Sequence, residues 1–137
     1  MKISSILKRV CMSLFAALLV IGSFVPASPA AAESYTVKMG GDNGMLVFQP
    51  ANLTVKPGDT LNFVVNKVPP HNVVFDDKTI PNGDKALAKS LSHQAMEMSP
   101  GKGFDVTIPE DAPAGTYSFY CAPHRTAGMV GKLTVEA

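Results

Sequence analysis

Hydrophobic and polar residues alternate in short runs along most of the chain. The clearest run is 60–66, where Leu61, Phe63 and Val65 share one side and Asn62, Val64 and Asn66 the other, the period-two pattern of a strand with one buried face. Similar runs cover 35–39, 46–49, 52–55, 72–75, 104–108, 117–121 and 130–135. They are separated by turn-forming residues such as Gly-Gly-Asp-Asn-Gly at 40–44, Pro50 and Lys-Pro-Gly-Asp at 56–59. Only 84–91 favours helix, over one or two turns, with Asp84 as its N-cap. Seven or eight short strands in about 100 residues predict an all-β fold, an antiparallel β-sandwich with Greek-key connections and one short helix. An immunoglobulin-type domain would carry a Cys–Trp–Cys pattern, and the sequence has no tryptophan. Internal repeats, low-complexity linkers and a second domain are absent from the pattern.

The first residues depart from this alternation. Lys2, Lys8 and Arg9 precede an almost uncharged apolar run over 10–25, and Ser28-Pro29-Ala30-Ala31-Ala32 offers the small residues of a signal cleavage site. The run is short for a bilayer span and ends in Pro26 and Pro29, so residues 1–32 are expected to be a cleaved signal peptide and 33–137 the mature domain. Removal of the signal changes the charge: twelve basic residues become nine, against eleven acidic, a net charge of −2. That balance excludes a nucleic-acid binder, which needs a basic face. Cys11 leaves with the signal, so Cys121 is the sole cysteine and an internal disulfide is excluded despite export. Such a thiol is either an inert core residue or a metal ligand.

Its neighbours favour metal. Cys121 is followed by His124 at +3 and Met129 at +8, with Pro123 stiffening the loop and Gly128 letting it turn. Alternation over 117–121 turns Tyr117, Phe119 and Cys121 inward and Tyr120 outward. A sandwich brings distant strand ends to one pole, which would add His71 from Pro69-Pro70-His71-Asn72. Two histidines, a cysteine and a weak axial methionine form the donor set of blue-copper electron-transfer sites, whereas zinc would favour further cysteines or a carboxylate. Cys121 and His124 lack a third orienting group for thiol catalysis, and four protein ligands leave no open position, so an enzyme is not expected. His93 reads as a loop or surface residue. Met96 and Met98 read as gap-filling core packing rather than an auxiliary Cu(I) site.

The stretches Tyr-Ser-Phe-Tyr-Cys-Ala-Pro-His-Arg-Thr-Ala-Gly-Met-Val-Gly-Lys (117–132), Pro-Pro-His-Asn-Val-Val-Phe-Asp (69–76) and Val-Lys-Met-Gly (37–40) resemble the plastocyanin family, of the cyanobacterial kind, within the cupredoxins. The resemblance runs in order over 34–137; pseudoazurin shares the Cys-to-His-to-Met spacing, and the flanking sequences favour plastocyanin. It implies an eight-stranded cupredoxin sandwich with one type 1 copper, Cu(I)/Cu(II), bound by His71, Cys121, His124 and Met129. It further implies a soluble monomer, peripheral to the membrane, that carries electrons from cytochrome f of the cytochrome b6f complex to photosystem I in the thylakoid lumen. Whether a respiratory oxidase is a further acceptor is left open. Asn72 matches the position that supports the ligand loop and the thiolate by hydrogen bonding. Gly44, Leu46, Pro70, Ala127 and Gly128 would form an apolar docking patch around the edge of His124. Tyr120 would mark a second, flank-side surface, carrying Asp76 and Asp77 where plant relatives have larger acidic clusters, with weaker steering as the consequence. Arg125 is expected to contact photosystem I, and Thr126 departs from the glycine expected there. The alternatives are a pseudoazurin-like donor to a periplasmic reductase and an exported copper chaperone.

Overall fold

The computed structural model describes residues 31–137, so the expected signal segment lies almost wholly outside the described residues. Among the described residues nine strands are formed: β1 (Ser34–Met39), β2 (Phe48–Gln49), β3 (Asn52–Val55), β4 (Thr60–Val65), β5 (His71–Phe75), β6 (His93–Glu97), β7 (Gly103–Thr107), β8 (Gly115–Tyr120) and β9 (Val130–Val135). They make two sheets, in the order β2-β1-β4-β7 and β3-β9-β8-β5-β6. Every run expected to be a strand is one, with ends shifted by two residues at most. The additional strand is β6. Its sequence, His-Gln-Ala-Met-Glu, lacks β-branched residues, and it becomes a strand by pairing with β5 along an open sheet edge, with His71 opposite Glu97 and Val73 opposite His93.

The sheets are mixed rather than wholly antiparallel. β1 runs parallel to β4 from Ser34–Thr60 to Met39–Val65, and β3 runs parallel to β9. Alternation of polar and apolar residues decides which face of a strand is buried; it says nothing about which strand lies beside it or in which direction.

The inward faces meet in one core. Val37, Met39, Leu61, Phe63 and Val65 come from the first sheet, and Val73, Phe75, Tyr117, Phe119, Leu133 and Val135 from the second. Phe119 stands at its centre, with ring centroids 4.9 Å from Phe48, 5.3 Å from Phe75 and 5.7 Å from Phe63. Gly131 lies directly opposite it on β9, and a β-carbon there would fall 2.2 Å from the Phe119 ring, so the missing side chain makes the room that the ring fills. Tyr117 is buried with its hydroxyl donating to the Pro113 carbonyl at 2.6 Å, which satisfies the one polar atom it carries inward.

The short helix α1 (Lys85–Leu91) forms where expected. Asp84 caps it, its carboxylate accepting the Leu87 N–H at 3.0 Å, and Ala88 and Leu91 bury its inner face. Among the described residues no helix is long and apolar enough to cross a membrane.

Candidate metal centre

β5 and β8 are paired neighbours, with Val74 opposite Tyr120. His71 opens β5 and Cys121 directly follows β8, so antiparallel pairing delivers both to the same pole of the sandwich across fifty residues of sequence. After Cys121 the chain makes a 3₁₀ turn, Ala122–Ala127, which leaves through Gly128 at φ 90° and enters β9. The turn is held by its own backbone: His124 N–H donates to Cys121 O at 3.2 Å, Met129 N–H to His124 O at 3.2 Å, and Cys121 N–H to Met129 O at 3.1 Å. These bonds bring the cysteine, the histidine and the methionine back on one another.

The donor atoms of His71, Cys121 and His124 lie within 4.8 Å of one another. Cys121 Sγ is 3.7 Å from His71 Nδ1 and 3.6 Å from His124 Nδ1. A first-row metal ion held at about 2.3 Å by thiolate and about 2.0 Å by imidazole, with donors at trigonal angles, keeps sulfur and nitrogen about 3.7 Å apart. The three side chains therefore have the spacing that a single small ion requires. Met129 is completely buried at the same loop, and its soft thioether suits copper.

Burial and hydrogen bonding tune the donors. Burial pushes the Cys121 thiol up, opposed in part by the backbone N–H groups of Asn72 and His124 that point at the sulfur. Burial first, and then the electrostatic influence of the neighbouring His71, pushes His124 down. His71 is completely buried, and its Nε2–H donates to the Lys67 carbonyl at 2.6 Å. A carbonyl can only accept, so the proton sits on Nε2 and the Nδ1 lone pair faces Cys121. Lys67 was not singled out by its side chain, because the contact is made by its backbone. Asn72 is buried and fills the expected supporting position: its Oδ1 accepts the Ala122 N–H at 2.8 Å and its Nδ2 donates to the Gln94 carbonyl at 3.1 Å.

His124 differs from His71 and Cys121 in being only partly covered. Around the same loops Gly44, Ala127 and Gly128 are exposed, and Leu46 and Pro70 are partly buried. Two further apolar residues, Met45 and Val68, are 57% and 50% exposed in the loops carrying Gly44 and Pro70. They extend the apolar character of that pole and were absent from the set expected from sequence.

The charged flank residues contact one another rather than pointing freely into solvent. Arg125 lies over the Tyr120 ring, with the guanidinium carbon 3.8 Å from its centroid, and reaches Asp76 at 3.5 Å. Asp76 and Asp77 line an open recess of about 370 Å³ with Tyr120, Val74, Lys89 and Gln94. Thr126 is exposed on the 3₁₀ turn.

Two expectations are corrected. His93 belongs to strand β6 rather than a loop, with its side chain partly exposed; it stacks on Phe104 of β7 at a centroid distance of 3.8 Å and meets Glu97 of its own strand at 3.0 Å. Met96 and Met98 do not fill core gaps: they are 47% and 60% exposed, Met96 on the edge strand β6 and Met98 just past its end.

The comparisons agree with this geometry. Residues 35–136 match the model of the copper binding proteins of the plastocyanin/azurin family. The plastocyanin of Nostoc punctiforme is 53% identical over 135 residues, 98% of this chain and 97% of its own. Among solved structures, the oxidised plastocyanin of Dryopteris crassirhizoma superposes with a TM-score of 0.63 at 31% identity, covering 74% of this chain and 100% of that one. A pseudoazurin from Sinorhizobium follows at 0.55 and 29% identity, covering 77% and 75%. A thiol and two imidazoles spaced for one ion, at the pole of a cupredoxin sandwich, fit a type 1 copper, and with these relatives they identify the chain as a copper electron carrier belonging to the plastocyanin/azurin family.

Proposed function

We propose that the chain carries single electrons from cytochrome f of the cytochrome b6f complex to photosystem I in the thylakoid lumen, using one copper held by His71, Cys121, His124 and Met129. The observation that carries the reading is the meeting of one thiol and two imidazoles at 3.6 and 3.7 Å. Cyanobacterial relatives named plastocyanin, matched over nearly their whole length, support the partners and the compartment. Export follows from residues 1–32 acting as a signal peptide.

Bound copper supplies the Cu(I)/Cu(II) couple; the chain supplies rigidity and access. Two paired strands and a backbone-tied loop hold the donors, so their positions need change little between oxidation states, which is the condition for fast transfer. Complete burial of His71 and Cys121 excludes water from the thiolate side, and the partly covered His124 offers the way out. The apolar pole with Gly44, Leu46, Pro70, Ala127 and Gly128 is the docking face, and Tyr120 with Asp76, Asp77 and Arg125 the flank surface. Four protein ligands leave a substrate no open position, so the protein is a carrier and not an enzyme. The buried donors also disfavour a chaperone, which needs exchangeable ligands.

The test is a purified 33–137 domain loaded with copper. It should turn intensely blue on oxidation, take electrons rapidly from cytochrome f and reduce photosystem I after a flash; a colourless copper complex would sink the reading. Cys121→Ser should abolish the colour, and Arg125→Gln should slow photosystem I reduction without altering the spectrum. Failure with photosystem I but turnover with a periplasmic reductase would favour a pseudoazurin-like role, for which the structural likeness to a pseudoazurin is the supporting observation.

A further inference from the structure

We propose that Gly40 is a positioning residue for His71, acting through the Lys67 carbonyl; the proposal rests on His71 being a copper ligand. The chain leaves β1 at Met39 and turns at Gly40 with φ 89°, in the left-handed region that favours glycine. The segment between β4 and β5 packs directly on this turn. Asn66 N–H and Lys67 N–H both donate to the Met39 carbonyl, at 2.9 and 3.3 Å, and Asn66 Nδ2 donates to the Gly40 carbonyl at 2.9 Å and to Asp42 Oδ1 at 2.9 Å.

A β-carbon on Gly40 would lie 2.2 Å from the Lys67 carbonyl oxygen and 2.9 Å from Lys67 C and N. All three are main-chain atoms in a segment pinned by the bonds just named, so none can swing aside as the end of a flexible side chain would. The oxygen that would have to move is the one that accepts the His71 Nε2–H. Displacing it removes the partner that holds the proton on Nε2 and keeps Nδ1 directed at Cys121. A turn glycine that touches no metal donor thus sets the tautomer and the ring orientation of the deepest histidine.

The test follows the His71 Nε2–H by NMR in the Cu(I)-loaded, diamagnetic protein and in the metal-free protein, together with the visible spectrum of the Cu(II) form. Gly40→Ala should make that proton exchange with water roughly tenfold faster, as expected when a hydrogen bond of ordinary strength is lost, and should shift the blue absorption band. Gly115→Ala is the control: φ there is 144° and a β-carbon would meet the Pro81 ring at 2.8 Å, at the opposite end of β8 from Cys121. It should lower the melting temperature and leave the His71 proton and the colour as they are. Asn66→Ala, which removes only side-chain bonds, is the milder variant and should also speed the exchange; it decides the matter if Gly40→Ala does not fold. Unchanged exchange in the folded variant, or an equal change in Gly115→Ala, would overturn the proposal. A His71 Nδ1 signal that does not respond to copper would instead overturn the ligand assignment, and the proposal with it.

Discussion

Replacing Asn72 by alanine separates the ligand loop from the sheet that carries it. The side chain is 2% exposed and makes two bonds, from the Ala122 N–H at 2.8 Å and to the Gln94 carbonyl at 3.1 Å. Each such bond contributes about 0.5–1.5 kcal/mol net, and a buried group left without a partner costs about 1–3 kcal/mol. Both sites are only partly buried, so water relieves some of the loss, and the sum is about 2–3 kcal/mol. For a domain of this size about 1 kcal/mol moves the melting temperature by roughly 4–5 °C, so Asn72→Ala should melt about 8–15 °C lower in calorimetry of the metal-free protein. Asn72→Asp separates the two bonds. Its carboxylate can still accept from Ala122 but faces the Gln94 carbonyl without a proton to donate. Burial raises the folded-state pKa of the introduced acid above its unfolded value, so the folded state binds the proton more tightly. Relative to the parent, this variant should therefore gain stability as the pH falls from 7 toward about 4. Melting of Asn72→Ala within about 2 °C of the parent, or a flat pH difference for Asn72→Asp, would refute the reasoning.

Gly131→Ala should cost about 2 kcal/mol through overpacking against Phe119, read as a urea midpoint shift; Phe119→Leu in the same chain should recover part of it, and strict additivity of the two would argue against the clash. Asp84→Ala should cost about 1 kcal/mol through loss of the α1 cap, measured by thermal melting, with no change in the copper spectrum. Hydrogen bonds from Lys38 first, then Asn66 and Gln49, hold the Asp42 carboxyl below its ordinary value. That contribution is present above the unfolded pKa and lost as pH falls through the folded one. Asp42→Asn should accordingly be less stable at neutral pH, and the two urea midpoints should converge in strong acid.

The fold and the site were legible to different depths. Period-two alternation located eight of the nine strands, and a cap residue before a run without turn formers located α1. The coming together of His71 and Cys121 followed from the rule that sandwich strands end at shared poles. What alternation cannot encode is partnership between strands, and the parallel β1–β4 and β3–β9 pairs depend on it. β6 was hidden because its strand character comes from the open edge of β5 and not from its own residues. Met96 and Met98 misled for a related reason, since an apolar residue on an edge strand, or just past its end, is apolar without being buried. The support of His71 was invisible because Lys67 acts through its backbone, which every residue possesses.

The order of the five-stranded sheet bears on how the protein is made. β9 lies between β3 and β8 and is their common partner, yet it follows all four metal-ligating positions in the chain. During synthesis, therefore, Cys121, His124 and Met129 emerge before the strand that closes the sheet beneath them. Until β9 slots in, β3 has no partner and the loop from Cys121 to Met129 has only one of its two strand anchors. The copper donors are thus all present in the chain before the sheet that supports them is complete, and until β9 pairs, the free thiol depends on its surroundings rather than on the fold for protection from oxidation.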